Sequence, residues 1–237
     1  MNYLKTTLAL LIRLAVISVA ILAVSPCFAA QQLLVPRTFH AEEVTAKSGE
    51  SWIAVTADSK KRIALKINTV KDAVADEGNK KTGKQVVTPG IKSIFIVKNV
   101  PNVGVGKCTT VLNKETELWK KPAVNLVLGK KSYKIELKLK VGKAKEGDTY
   151  TPAHCALTVS DGTRTDTILD TDCVAELQGL EAPRILWAGD IDMDGKLDLL
   201  IDGSTESNMS KLMLFTSSPA KPGKILTKVG ELTTYGC

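Results

Sequence analysis

Four aspartates spaced along one short segment, Asp190, Asp192, Asp194 and Asp198, are the residues of this chain best suited to chemistry. Calcium is a hard cation that takes six to eight oxygens at about 2.3–2.6 Å, and carboxylates at alternate positions of a tight loop can all turn inward to supply them. With Asp190 as position 1, Asp192 and Asp194 fall at positions 3 and 5. Gly195 follows at position 6, where a sharp turn is needed, the backbone carbonyl of Lys196 can serve at position 7, and Asp198 closes the shell at position 9. Without a cation these carboxylates would repel one another, so the segment itself calls for a counterion. An EF-hand ends with a bidentate carboxylate at position 12 and lies between two helices. Here position 12 is Ile201, and the flanks Arg184–Trp187 and Leu197–Ile201 are apolar, partly β-branched and without a helical stripe. The spacing therefore predicts a turn between two strands that binds a hard divalent cation. Carboxylate number and loop flexibility favour Ca2+ over manganese or magnesium.

The remaining candidates are weaker. His154 precedes Cys155 and lies near Ser160 and Asp161, but adjacency in sequence is not catalytic geometry, and no nucleophile motif such as GxSxG is present. No catalytic residue is assigned, to His40 or His154 or elsewhere, and the expectation is a non-enzymatic protein. The alternative is a hydrolase whose metal loop only steadies the scaffold. Trp52, Trp119 and Trp187 could be platforms for sugars or peptides, yet large aromatics more often fill a core, so core packing is expected of all three. Between Lys114 and Lys145 stand ten lysines against Glu115, Glu117 and Glu136. Such a run reads as a solvated strand face that discourages edge pairing. It could also attract an anionic cell-surface polymer or an envelope protein. Nucleic acid is not expected, given the export-type N-terminal segment described below and the lack of an interleaved aromatic motif.

The segment Trp187-Ala-Gly-Asp-Ile-Asp-Met-Asp-Gly-Lys-Leu-Asp-Leu-Leu-Ile-Asp202 resembles the calcium loop of the FG-GAP, or integrin-alpha-like, repeat. That pattern is a strand, then Gly-Asp-x-Asp-x-Asp-Gly-x-x-Asp-Leu, then a second strand. The resemblance implies calcium binding through the side chains of Asp190, Asp192, Asp194 and Asp198 and through the carbonyl of Lys196. It covers sixteen of 237 residues, in one copy. Repeats of this kind build propellers of typically four to eight blades, so a propeller made by this chain alone is not expected. A lone copy near the end resembles small bacterial-type exported proteins with a single such repeat.

The elements that must position this loop are strands. From Ser132 to Val141, apolar Tyr133, Ile135, Leu137, Leu139 and Val141 alternate with Lys134, Glu136, Lys138 and Lys140, which puts one face on a core and the other in water. Trp52–Thr56, Arg62–Val70, Ser93–Val97 and Val124–Leu128 read the same way. Cys155–Ser160 and Thr163–Leu169 flank Asp161-Gly162, a pair suited to a tight hairpin turn. Helical signals are confined to a turn or two at Val70–Ala75 and Asp172–Leu177. The expected fold is mostly β: a sandwich or partly open barrel of short antiparallel strands, with the calcium loop between two C-terminal strands.

The N-terminal segment carries Lys5 and Arg13, an apolar run of eleven residues from Leu14 to Val24, and the small-residue stretch up to Ala30. That is the layout of a secretory signal peptide, and the run is well short of the roughly 20 residues a spanning helix needs. The expected organisation is a signal peptide over 1–30, an N-terminal β region over 31–145 and a C-terminal β region over 146–237 holding the loop. The product is expected to be exported, periplasmic or secreted, with no transmembrane span after cleavage. Losing Lys5 and Arg13 lowers the formal charge from +7 to +5, still basic. Cys108, Cys155, Cys173 and Cys237 survive, an even count that reads as disulfides in an exported chain, with three pairings open.

Overall fold

The computed structural model describes residues 32–58, 60–73, 81–143, 150–176, 179–206 and 208–235. The expected signal peptide over 1–30 and Cys237 lie outside the described residues. The strands are β1 (Gln32–Leu34), β2 (Thr38–His40), β3 (Ser51–Thr56), β4 (Lys61–Lys66), β5 (Asn68–Ala73), β6 (Gly83–Val87), β7 (Ser93–Lys98), β8 (Gly106–Lys107), β9 (Thr109–Leu112) and β10 (Thr116–Glu117). They continue as β11 (Ala123–Leu128), β12 (Lys131–Val141), β13 (Tyr150–Ser160), β14 (Thr165–Glu176), β15 (Gly179–Glu181), β16 (Arg184–Asp190), β17 (Asp198–Asp202), β18 (Met209–Thr216) and β19 (Thr227–Tyr235). A single 3-10 turn at Ala41–Glu43 is the only helical element among the described residues, and no helix there is long and apolar enough to cross a membrane.

Three sheets form, and none closes into a barrel. The largest runs β10-β16-β17-β18-β19-β1-β7-β3-β4-β8, with β9 on the same edge of β16 as β10. A five-stranded meander runs β11-β12-β13-β14-β15, and a small sheet runs β2-β6-β5. Among the described residues all pairings are antiparallel except β1 with β19.

Alternation along β17 and β18 shows how the layers stack. Leu200, Leu212 and Leu214 join one core with Trp52, Phe95 and Trp187, while Leu199, Ile201, Met213 and Phe215 join a second core with Ile135, Leu157 and Val159 of the meander. Successive side chains of a strand point to opposite faces, so both strands are buried on both sides and read as continuous apolar runs. The meander has one wet face. On β12, Tyr133, Ile135 and Leu137 are buried and Lys134, Lys138 and Lys140 exposed, as the alternation requires, but Leu139 and Val141, expected on the core face, are exposed as well.

Three local expectations are corrected. The stretch Arg62–Val70 is two strands: β4 belongs to the large sheet and β5 to the small one, with buried Ile67 between them as the pivot. Among the described residues of the two expected helical turns, strand forms instead; residues 74, 75 and 177 lie outside them. Val70–Ala73 belongs to β5 and pairs with β6, and Asp172–Glu176 pairs with Tyr150–His154, so ladders satisfy the backbone groups that a helix would have used internally. The hairpin between β13 and β14 closes through four residues, Asp161–Arg164, instead of two. Asp161 organises it by accepting the N–H groups of Thr163 at 3.0 Å and Arg164 at 2.8 Å and the Arg164 guanidinium at 2.7 Å.

Cys155 and Cys173 lie diagonally across β13 and β14 with Sγ–Sγ 2.17 Å and Cα–Cα 6.0 Å. Both are buried against the meander's core. Trp52 and Trp187 are core residues, as expected. Trp119 is not. Leu118 takes the inward position at its turn, leaving the Trp119 ring 39% exposed beneath the Lys120 ammonium, 4.7 Å from its centre.

Candidate metal centre

The aspartate loop connects β16 to β17, whose antiparallel register runs from Arg184 opposite Asp202 to Gly189 opposite Asp198. Asp190 ends one strand and Asp198 begins the other, so the hairpin itself brings positions 1 and 9 to the same mouth. Inside the loop, Ile191 and Leu197 are fully buried, Ile191 in the core shared with Trp187 and Leu197 in the core shared with the meander. These two pegs hold the loop to both sides of the large sheet. Met193 and Gly195 adopt left-handed backbone, with φ 63° and 77°. The reversal this produces is the one that Gly195 supplies without steric cost.

Gly189 has a separate reason to be glycine. A Cβ there would lie 2.1 Å from the carbonyl oxygen of Thr109 on β9 and 2.6 Å from the Trp187 ring. Thr110, next to it, accepts the Trp187 indole N–H at 2.8 Å, and the Phe95 ring meets Trp187 edge-on at 5.5 Å. The strand carrying Asp190 is thereby seated tightly against its neighbour.

The carboxylates of Asp190, Asp192 and Asp194 each place an oxygen within 4.8 Å of the others. Two oxygens bound to one calcium at about 2.4 Å can be at most twice that distance apart, so the three meet the condition for sharing an ion. Asp190 Oδ1 accepts the N–H of Asp194 at 3.1 Å and its Oδ2 that of Gly195 at 2.9 Å. Asp192 Oδ1 accepts the same Asp194 N–H at 3.3 Å, and Asp192 Oδ2 is buried with no hydrogen-bond donor. An orphaned buried carboxylate oxygen is costly unless a cation completes it. The donor set therefore fits a hard divalent ion.

Asp198, expected as a fourth ligand, is fully buried and is not one of this converging trio. Its Oδ2 accepts the N–H of Ile191 at 2.7 Å and its Oδ1 the N–H of Ser217 at 2.9 Å. Burial, and after it the charge of Asp192, pushes the Asp198 carboxyl well above the usual range. Burial likewise raises Asp190. Lys196 donates its N–H to Asp194 Oδ1 at 2.8 Å and its ammonium to Oδ2 at 3.2 Å. Ser217, beyond the end of β18, was not singled out from the sequence. Its hydroxyl donates to Asp194 Oδ2 at 2.8 Å. Nothing in local spacing marks it, because its role comes from the β17–β18 pairing that carries it back to the loop.

His154 is exposed on the outer face of the meander, its Nε2 2.5 Å from Asp170 and its Nδ1 3.2 Å from Asp172. Both ring nitrogens face carboxylates, an arrangement that favours the charged imidazolium over the neutral form a general base needs. Ser160 and Asp161 lie elsewhere, at the hairpin turn, and the structure does not assemble them with His154 into a triad. No family model, no curated protein and no solved structure matches this chain.

Proposed function

We propose that this chain is an exported calcium-binding protein in which the ion has a structural role. Its aspartate loop works as an FG-GAP-like element holding together the two faces of the large sheet. The reading rests on one observation above all: three carboxylates converge within 4.8 Å while an oxygen of Asp192 is buried without a donor. Asp190, Asp192 and Asp194 would hold the ion, with Asp198 and the Lys196 carbonyl as the further ligands that the repeat's pattern assigns. Bound calcium supplies charge neutralisation, and the chain's own residues do the rest. Ile191 and Leu197 anchor the loop in the two cores, so fixing the loop fixes the packing of both.

The signal-peptide layout of the leader supports export to the periplasm or medium. The exposed lysines of β12 give the meander's outer face a basic character suited to an anionic cell-surface polymer or an envelope protein. Calorimetric titration of the mature protein with Ca2+ and, separately, Mg2+ tests the metal reading. One calcium per chain, with magnesium at least tenfold weaker, is expected. Tighter magnesium binding or no heat with either ion would contradict it.

A further inference from the structure

At the end of the β16–β17 ladder remote from the aspartate loop lies an open cavity of about 600 Å³, walled by the ends of β16 to β19 and by the segment from Val35 to Glu43. That volume is in the range of small-molecule sites. Its charged groups are unequally satisfied. Asp202 accepts Arg184 at 2.6 Å and the N–H groups of Ser204 at 3.0 Å and Lys211 at 3.1 Å. Arg184 also takes Glu115 at 2.8 Å. Glu43 accepts the N–H groups of His40 at 3.0 Å and Tyr235 at 2.6 Å.

Arg37 is the exception. It is half-buried, its guanidinium lies 4.9 Å from the centre of the Phe39 ring, and one N–H donates to the Thr234 hydroxyl. Among the described residues no carboxylate comes within ion-pairing distance of it; Glu43 and Asp202 act only at longer range. Burial correspondingly lowers its pKa from the ordinary arginine value. A guanidinium has five N–H donors in a rigid fork, and here one is used by a neutral hydroxyl.

We infer that this cavity is a binding site for an organic monocarboxylate, with the Arg37 fork taking the carboxylate and the apolar wall of Val35, Leu186 and Leu212 taking its substituent. The fork matches a carboxylate in two parallel hydrogen bonds, and the cation–π contact with the Phe39 ring helps hold the guanidinium in place. Three carboxylates on the same walls, Glu43, Glu115 and Asp202, disfavour a doubly charged ligand such as phosphate. A small free acid and the C-terminal residue of a peptide share this chemistry. The site is independent of the metal reading, since none of its residues belongs to the loop.

The test is an NMR titration of the mature chain with sodium benzoate, N-acetyl-leucine, their neutral amides and inorganic phosphate. Saturable shifts at Thr234, Tyr235 and Leu212 with a dissociation constant on the order of 1 mM are expected for an acid, and none for its amide. Arg37→Met should weaken acid binding at least tenfold. Equal binding of both acids assigns a small free acid, and preference for N-acetyl-leucine a chain terminus; either supports the site. Absence of saturable shifts, amides binding as well as acids, or phosphate displacing the acids would overturn it. The acid–amide comparison uses the unaltered protein, so it decides the matter even if Arg37→Met does not fold.

Discussion

Ser217 donates its hydroxyl hydrogen to Asp194 Oδ2 at 2.8 Å across 23 residues of sequence. Its N–H holds Asp198 Oδ1 as well, so a single residue beyond β18 orients two carboxylates of the loop. Partners that orient metal ligands typically change affinity by 10- to 100-fold when removed. Ser217→Ala should therefore weaken calcium binding about tenfold in a calorimetric titration. The metal-free protein should lose only about 1 kcal/mol, since the N–H to Asp198 is retained. Unchanged affinity would show that Ser217 does not orient the ligands.

Gly189→Ala should destabilise the protein by about 1–3 kcal/mol or more, the range for overpacking a tight interior. The obstacle is the backbone of Thr109 together with the Trp187 ring, neither of which can swing aside cheaply. Urea unfolding followed by Trp fluorescence measures it. A midpoint equal to the parent's would mean that β9 does not pack on β16 as described.

Reducing the bridge between Cys155 and Cys173, or replacing both with serine, should cost about 3 kcal/mol, from the entropy that a cross-link of this span removes from the unfolded chain. Peptide mapping of the unreduced protein should recover the two cysteines in one linked pair. A different pairing would contradict the register of β13 and β14.

His154 should titrate above the ordinary imidazole value of 6.5, because Asp172 and then Asp170 stabilise its charged form. A raised value means the charged form contributes to folding fully below pH 6.5. That contribution disappears as pH rises through the folded-state pKa. Asp172→Asn should move the His154 midpoint down in an NMR titration. A midpoint indifferent to that change would show that the ion pair is not maintained in solution.

The strand character of the chain was legible because its period-two alternation is carried by residues such as Tyr133, Ile135 and Leu137. The loop was legible because its carboxylates are local: Asp190, Asp192 and Asp194 need only a turn to converge. Features made by distant pairing were not. Ser217 reaches the loop through β18, and Arg37 meets Thr234 across 197 residues. The two misread helical turns have the same cause, since Asp172 and Cys173 are held as strand by partners about twenty residues earlier and Val70–Ala73 by partners on β6. Trp119 misled because a large aromatic ring suggests burial, whereas here Leu118 takes the buried place beside it.

Calcium binding by the aspartate loop and its support of the fold are decided by thermal melts of the protein in EDTA and in millimolar calcium, beside an Asp192→Ala/Asp194→Ala variant. At about 100 times the dissociation constant, calcium should add about 2.7 kcal/mol. For a chain of this size that is a rise in Tm of roughly 5–11 °C. The parent should show the rise and the variant should not. Identical melts of the parent with and without calcium would mean that the ion does not support the fold.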